Sequence, residues 1–250
     1  MVINQIQLLF CIQIFLFFSS GCSHPENNQK KRKNTNHHAH GFQIEENDSF
    51  KKLTVFNPWE KAEDVTVEYY LLPEIGAIPD SLSEEKIIRT PVERVICLST
   101  THLAFLDVLN ETDAVVGISG SQYISNEKIR QKTATSEVAD VGYGHNLNFE
   151  LIVKQQPDLV MAYGVGSEVT NYTHKLEELG IPVVMVAEYL EESPLGKAEW
   201  IKFVGALFEK ENEAVDFFHT VEQDYLALKK LAAGKTEKPK VLVGSPYKDS

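Results

Sequence analysis

The residues best equipped for chemistry fall in a few short loops. Ser99-Thr100-Thr101-His102 sets three hydroxyls beside an imidazole. Val141-Gly142-Tyr143-Gly144-His145 joins a glycine-rich bend to a phenol and an imidazole, and Tyr163-Gly164-Val165-Gly166-Ser167 repeats that character. Hydroxyls beside a histidine are raw material for nucleophilic catalysis, but adjacency in sequence is not triad geometry. The plainer reading of His102 is a helix N-terminal residue near a strand end. No Walker loop, GxSxG or HExxH occurs, and Gly142-x-Gly144 lacks the third glycine of a dinucleotide fingerprint. A zinc centre needs several imidazoles on one point. His102, His145 and His174 lie in separate segments, and the sequence leaves their convergence open. What the loops do supply is aromatic: Tyr123, Tyr143, Tyr163 and Tyr189, with His145, offer walls and hydrogen-bond donors for a large planar or macrocyclic ligand. The chemistry expected is capture rather than turnover.

Those loops need a scaffold that brings them to one edge. Phe149, Ile152 and Val153 recur at helical spacing, Pro157-Asp158 stops that helix, and Leu159-Val160-Met161-Ala162 follows as a short buried strand. Val95–Leu98, Ala114–Ile118 and Ile181–Val186 are further apolar strands. Helices are expected from the Ser99-Thr100-Thr101 cap to Val108-Leu109 and from Tyr172 to Leu179. Strands alternating with helices predict a mostly parallel α/β sheet with the loops at its carboxyl edge. Before it, Leu53–Phe56 and Val65–Leu72 predict an antiparallel pair, with Trp59 between them read as packing. A connection follows, with a short helix near Glu84-Glu85-Lys86. After it, the spacing predicts a helix over 198–208 and a longer one over 211–232, striped by Ala214, Phe217, Phe218, Val221, Tyr225, Leu228 and Leu231. Lys240–Ser245 opens a new strand. A lone strand cannot bury its faces, so a second lobe is expected beyond Ser250.

The run Asn148-Phe149-Glu150-Leu151-Ile152-Val153, followed by Gln156-Pro157-Asp158-Leu159-Val160, resembles the signature of the helical-backbone (class III) substrate-binding proteins of metal-chelate ABC importers. The resemblance spans roughly Val92 to Ser250. It implies an N-terminal α/β lobe over 91–193, a helical backbone over 194–235, and the start of a C-terminal lobe over 236–250. The ligand it implies is an iron chelate (ferric siderophore or haem) or cobalamin, held between two lobes. No cofactor is implied. The strand-edge loops then carry the ligand-binding set Thr100, Thr101, Ser121, Tyr123, Tyr143, Gly144, His145, Tyr163 and Tyr189. Glu150 is implied as a docking residue that pairs with permease arginines, although an acid in a helix's first turn is also what the macrodipole selects. The partners implied are the permease and its ATPase, with the receptor a monomer. The rival readings are an enzyme on a chelatase-like or nitrogenase-like fold acting on a tetrapyrrole, and a zinc or other metal-ion receptor.

The amino-terminal end adds an address. Leu8 to Phe18 is apolar except for Gln13, too short to span a membrane, which takes about 20 residues, but suited to a signal-peptide core. Ser19-Ser20-Gly21-Cys22 resembles a lipoprotein box, implying that residues 1–22 end at a lipidated Cys22, although no Lys or Arg precedes the apolar run and Ser19 replaces the usual Leu. Residues 23–41, with Lys30-Lys31-Arg32-Lys33 and His37-His38-Ala39-His40, read as a polar, flexible tether. Residues 42–90 then hold the hairpin and connection. A membrane-anchored protein of the cell envelope, periplasmic or outer-surface, is expected. Cys97 is the one cysteine of the folded part, and a buried apolar role is expected for it. Net charge of −12 argues against a nucleic-acid surface.

Overall fold

The computed structural model describes residues 36–79, 82, 87–167, 169–237 and 239–241. The expected signal peptide, Cys22, the expected tether up to residue 35, the helix expected near Glu84 and nearly all of the strand expected after Lys240 lie outside the described residues.

Two sheets organise the chain. The first is four-stranded, in the order β1 (Phe42–Glu46), β2 (Lys51–Phe56), β3 (Thr66–Pro73), β4 (Ile87–Thr90). The expected hairpin is β2 and β3, antiparallel with Leu53 opposite Tyr69 and Val55 opposite Val67. Its flanking strands were not expected: β1 is antiparallel to β2, and β4 lies parallel to β3.

The second sheet is five-stranded and wholly parallel. It comprises β5 (Val95–Cys97), β6 (Val115–Ile118), β7 (Ala139–Asp140), β8 (Leu159–Ala162) and β9 (Val183–Met185), in the order β7-β6-β5-β8-β9. Alternation across the pleat divides the core. Val95, Cys97, Leu159 and Met161 face one cluster, while Ile96, Val160 and Ala162 face the other. Cys97 is fully buried, as expected, and burial pushes its thiol pKa up. Helices α1 (Thr100–Val108) and α2 (Glu127–Ala134) cover the first face through Leu103, Leu106 and Ile129. Helices α3 (Phe149–Lys154) and α4 (Val169–Glu178) cover the second through Ile152, Val169 and Leu176. The strand order reverses between β5 and β8, so the loops that follow those two strands diverge to opposite faces and leave a crevice at the carboxyl edge.

Helix α2 and strand β7 escape a pattern search because α2 has one buried residue, Ile129, and β7 is two residues long. The helix expected over 198–208 is two, α5 (Pro194–Glu199) and α6 (Ile201–Leu207), hinged at Trp200. Ser193 accepts from the Gly196 amide and Pro194 occupies the first turn, so α5 starts earlier than its apolar spacing announces. Helix α7 (Glu211–Ala233) follows. Of its expected stripe, Ala214 and Phe218 are buried, while Phe217, Leu228 and Leu231 are exposed.

The tether reading fails for residues 37–41. The Glu199 carboxylate accepts from the amides of His37, His38 and Ala39 at 2.8–3.1 Å, and Glu191 accepts from those of His40 and Gly41 at 2.8–3.2 Å. Backbone donors meeting buried carboxylates order this segment although it has little apolar surface. His38 also bonds Glu222 of α7 at 2.6 Å. Thr90-Pro91 is a cis peptide.

Candidate functional site

An open cavity of about 500 Å³ lies at the carboxyl edge of the parallel sheet, within the usual size range for small-molecule sites. Its floor is Leu98 and the buried Ser119, from the ends of β5 and β6. Its walls are aromatic: Tyr143, Phe149, Tyr163 and Tyr172, with Lys175 as the cation at the rim. Each wall residue is placed by backbone rules. Gly142 has φ +84°, and a Cβ there would meet the Asn146 carbonyl oxygen at 2.2 Å, so the Tyr143 loop requires glycine. Gly164 leaves no room either, since its Cβ would lie 2.3 Å from Val169. Asn148 accepts from the Leu151 amide at 2.9 Å and sets the start of α3, bringing Phe149 to the cavity.

Hydrogen bonds tie the wall together. The Tyr143 and Tyr163 hydroxyls are 3.1 Å apart, the Tyr172 hydroxyl donates to the Tyr163 carbonyl, and the Tyr189 hydroxyl donates to the Gly164 carbonyl. Burial, then the Tyr143 hydroxyl, raises the Tyr163 pKa. Burial also pushes Tyr189 up to about 12, the Glu60 carboxylate adds to that, and the Glu60 backbone N–H opposes it. Both phenols therefore stay protonated at neutral pH and act as donors.

Of the expected ligand set, the cavity takes Tyr143, Gly144 and Tyr163. Thr100 is half-buried in the first turn of α1. Thr101 donates to the buried Glu188 at 2.7 Å. Ser121 and the exposed Tyr123 form a 3-10 turn after β6, where the Ser121 amide donates to Asp140 at 3.2 Å. Tyr189 stands behind the Tyr163 ring, edge-on at 6.4 Å between centroids. His145 lies in the 3-10 turn Gly144–Asn146, and its side chain is outside the described ones. Pattern reasoning missed Phe149, Tyr172 and Lys175. In the sequence Phe149 stands as one of the spaced apolar residues of its helix, and the other two as parts of the helix expected from Tyr172 to Leu179. The available signal was position, because α4 starts directly after the glycine-rich loop that ends β8.

Among the described side chains the histidines do not gather. His102 is fully buried, its ring edge-on to Tyr163 at 6.4 Å. Neither of its nitrogens makes a hydrogen bond of normal geometry, although the Met161 backbone lies near enough to oppose the effect of burial. Burial pushes its pKa down to about 3, so it is neutral. His174 is exposed and pairs with Glu178 at 3.4 Å. Among the described residues no three His, Cys, Asp or Glu side chains are placed to hold a metal ion. Glu150 is exposed in the first turn of α3. No helix among the described residues is long and apolar enough to cross a membrane.

The chain is similar to several known proteins. Two uncharacterized lipoproteins of Methanocaldococcus jannaschii are similar in sequence. One is 34% identical over 169 residues, covering 65% of this chain and 40% of the relative. The other is 29% identical over 181 residues, covering 70% and 46%. The matches thus span less than half of those relatives. Among solved structures, an ABC-type Fe3+-hydroxamate transport protein of Saccharomonospora viridis aligns at 25% identity and TM-score 0.42, over 56% of this chain and 51% of that one. The periplasmic heme-binding protein HutB of Vibrio cholerae aligns at 18% and 0.46, over 59% and 52%. The pattern described as "Periplasmic binding protein" matches residues 95–250, a run that starts at β5 and includes every strand of the parallel sheet. The chain belongs to the periplasmic binding protein family.

Proposed function

We propose that the protein is the membrane-anchored receptor of an ABC importer, capturing an iron chelate (ferric siderophore or haem) or a corrinoid and delivering it to the permease. The observation that carries this reading is the aromatic cavity at the carboxyl edge of a parallel sheet, in a chain of the periplasmic binding protein family. Tyr143, Tyr163 and Tyr172 offer faces to a chelate's flat or macrocyclic ligand, and the Tyr143–Tyr163 hydroxyl pair keeps one donor for it, the Tyr172 hydroxyl being committed to the Tyr163 carbonyl. Lys175 complements a carboxylate or catecholate at the rim. A lobe of this kind covers one side of its ligand, and a second lobe closes the other. Cys22 carries the lipid in this reading, the tether runs to about residue 36, and Glu150 meets cationic side chains of the permease.

The test is a visible absorption spectrum of the full-length lipoprotein, extracted gently from its membrane and then offered ferric hydroxamate, ferric catecholate, haemin and cyanocobalamin. A band from bound chelate, as isolated or after loading, is expected and names the ligand class. A protein that stays colourless with all four overturns the chelate reading and points to a free metal ion as the cargo.

A further inference from the structure

The cavity wall is held from outside the family-matched part of the chain. The tip that joins β2 to β3 reaches across to the parallel sheet, where a single parallel β-bridge pairs Trp59 with Gly164. Trp59 is half-buried against the same core cluster as Val169 and Tyr172. The tip is tightly shaped: Asn57, Lys61 and Asp64 all have φ between 46° and 62°, a left-handed conformation that a lysine adopts only under constraint. Asn57 supports the bend: its amide donates to the Val65 carbonyl at 2.8 Å, and its side-chain oxygen accepts from the Val65 amide at 3.0 Å. Tyr189 closes the arrangement from a third direction, donating to the Gly164 carbonyl while the Glu60 backbone lies against its hydroxyl.

Two consecutive carbonyls, those of Tyr163 and Gly164, are therefore pinned by the phenols of Tyr172 and Tyr189, and the strand edge beside them by the hairpin tip. We propose that Trp59 and Tyr189 are positioning residues of the ligand site, presetting the Tyr163–Gly164 backbone so that the Tyr163 ring stands ready as a wall before ligand arrives. This rests on the reading of the aromatic cavity as the ligand site. It assigns Tyr189 to the support of the wall rather than to ligand contact, and it makes the N-terminal sheet part of the receptor's binding apparatus. Presetting a wall removes ordering cost from binding, so its loss shows in affinity without any ligand contact being removed.

The test uses the full-length protein and the variants Trp59→Ala, Trp59→Phe and Tyr189→Phe. Amide hydrogen exchange is followed without ligand, and haemin and ferrioxamine B are titrated as probes. Expected is a roughly tenfold faster exchange at residues 163–167 in Trp59→Ala and Tyr189→Phe, with β5 and β8 unchanged, since Tyr189→Phe removes one hydrogen bond and Trp59→Ala removes the side-chain packing that holds the backbone bridge in place. A similar fall in affinity for whichever probe the unaltered protein binds is expected, with Trp59→Phe restoring most of it. Unchanged exchange at 163–167 in both Trp59→Ala and Tyr189→Phe overturns the proposal, as does loosened exchange with unaltered affinity. Loosened exchange in a protein whose unaltered form binds neither probe upholds the clamp and counts instead against the cavity as a chelate site.

Discussion

Glu199 and Glu188 are both buried carboxylates, one in α5 and one in the turn after β9, and they are built in opposite ways. Glu199 accepts from three successive backbone amides and from Lys202 at 2.6 Å. Despite the opposing cost of burial, the Lys202 ammonium and those amides hold its carboxyl below the ordinary range. Glu188 accepts one close hydrogen bond, from the Thr101 hydroxyl, while its other oxygen is buried without one; burial raises its pKa, and the Thr101 hydroxyl, the Glu188 and Tyr189 amides and the Lys197 charge oppose that without overcoming it. A carboxylate with every lone pair answered acts as a fastener. One left half-answered at the sheet's carboxyl edge is destabilising where it stands, which is how sites rather than scaffolds are built.

The largest expected effect is on the fastener. Glu199→Ala leaves Lys202 and the amides of residues 37–39 without their acceptor, and a loss of about 3 kcal/mol in urea unfolding at neutral pH is expected. Exchange at those amides should rise to that of a free segment. A loss under about 1 kcal/mol would mean the docked segment contributes almost nothing, and the contrast with Glu188 would collapse. The sign with pH follows from the lowered pKa. The contribution of Glu199 is complete above the ordinary carboxylate range and disappears as pH falls through its depressed value.

That fastener marks where reading the sequence stops working. The parallel sheet was legible because its strands are short apolar runs and its helices carry spaced apolar residues. Likewise the pattern at Asn148 to Val160 announced the edge where Tyr143 and Tyr163 meet. Residues 37–41 were not legible: their order comes from carboxylates on α5 and the turn before it, and no local composition encodes a partner so distant in sequence. The converse error is α7, whose stripe predicts burial at Leu228 and Leu231 although both stand exposed. Periodicity reports which face is apolar, and only the fold reports whether anything covers it. Tyr189 is a related case: its hydroxyl donates to the Gly164 carbonyl, a partner that no local pattern announces.

A smaller effect, of opposite sign, tests the other half of the contrast. Glu188→Gln removes a charge that the fold disfavours while keeping an oxygen for the Thr101 hydroxyl, so stability at neutral pH should rise by up to about 1 kcal/mol. For a raised pKa the penalty exists above the folded-state value and fades as pH falls through it, because the native state then takes up the proton. The advantage of the variant should therefore vanish on acidification, over a range lying above the one in which Glu199 fails. Urea unfolding of both proteins between neutral and acid pH separates the two. A Glu188→Gln variant that is less stable at neutral pH would show that the carboxylate has a partner in solution and is a fastener after all.

Glu150 completes the comparison as an exposed carboxylate. It sits exposed in the first turn of α3, where the helix dipole favours an acid by a few tenths of a kcal/mol. Glu150→Arg should therefore change stability by about 0.5 kcal/mol or less and leave chelate affinity near that of the unaltered protein. If the residue meets cationic side chains of the permease, reversal puts like charges against each other, and chelate uptake by cells carrying the variant should fall sharply, since rim charges of this kind set register and association rate. Normal uptake with Glu150→Arg would reduce the residue to a helix-end acid. Lost chelate affinity would place it in the ligand site, and the docking role would go.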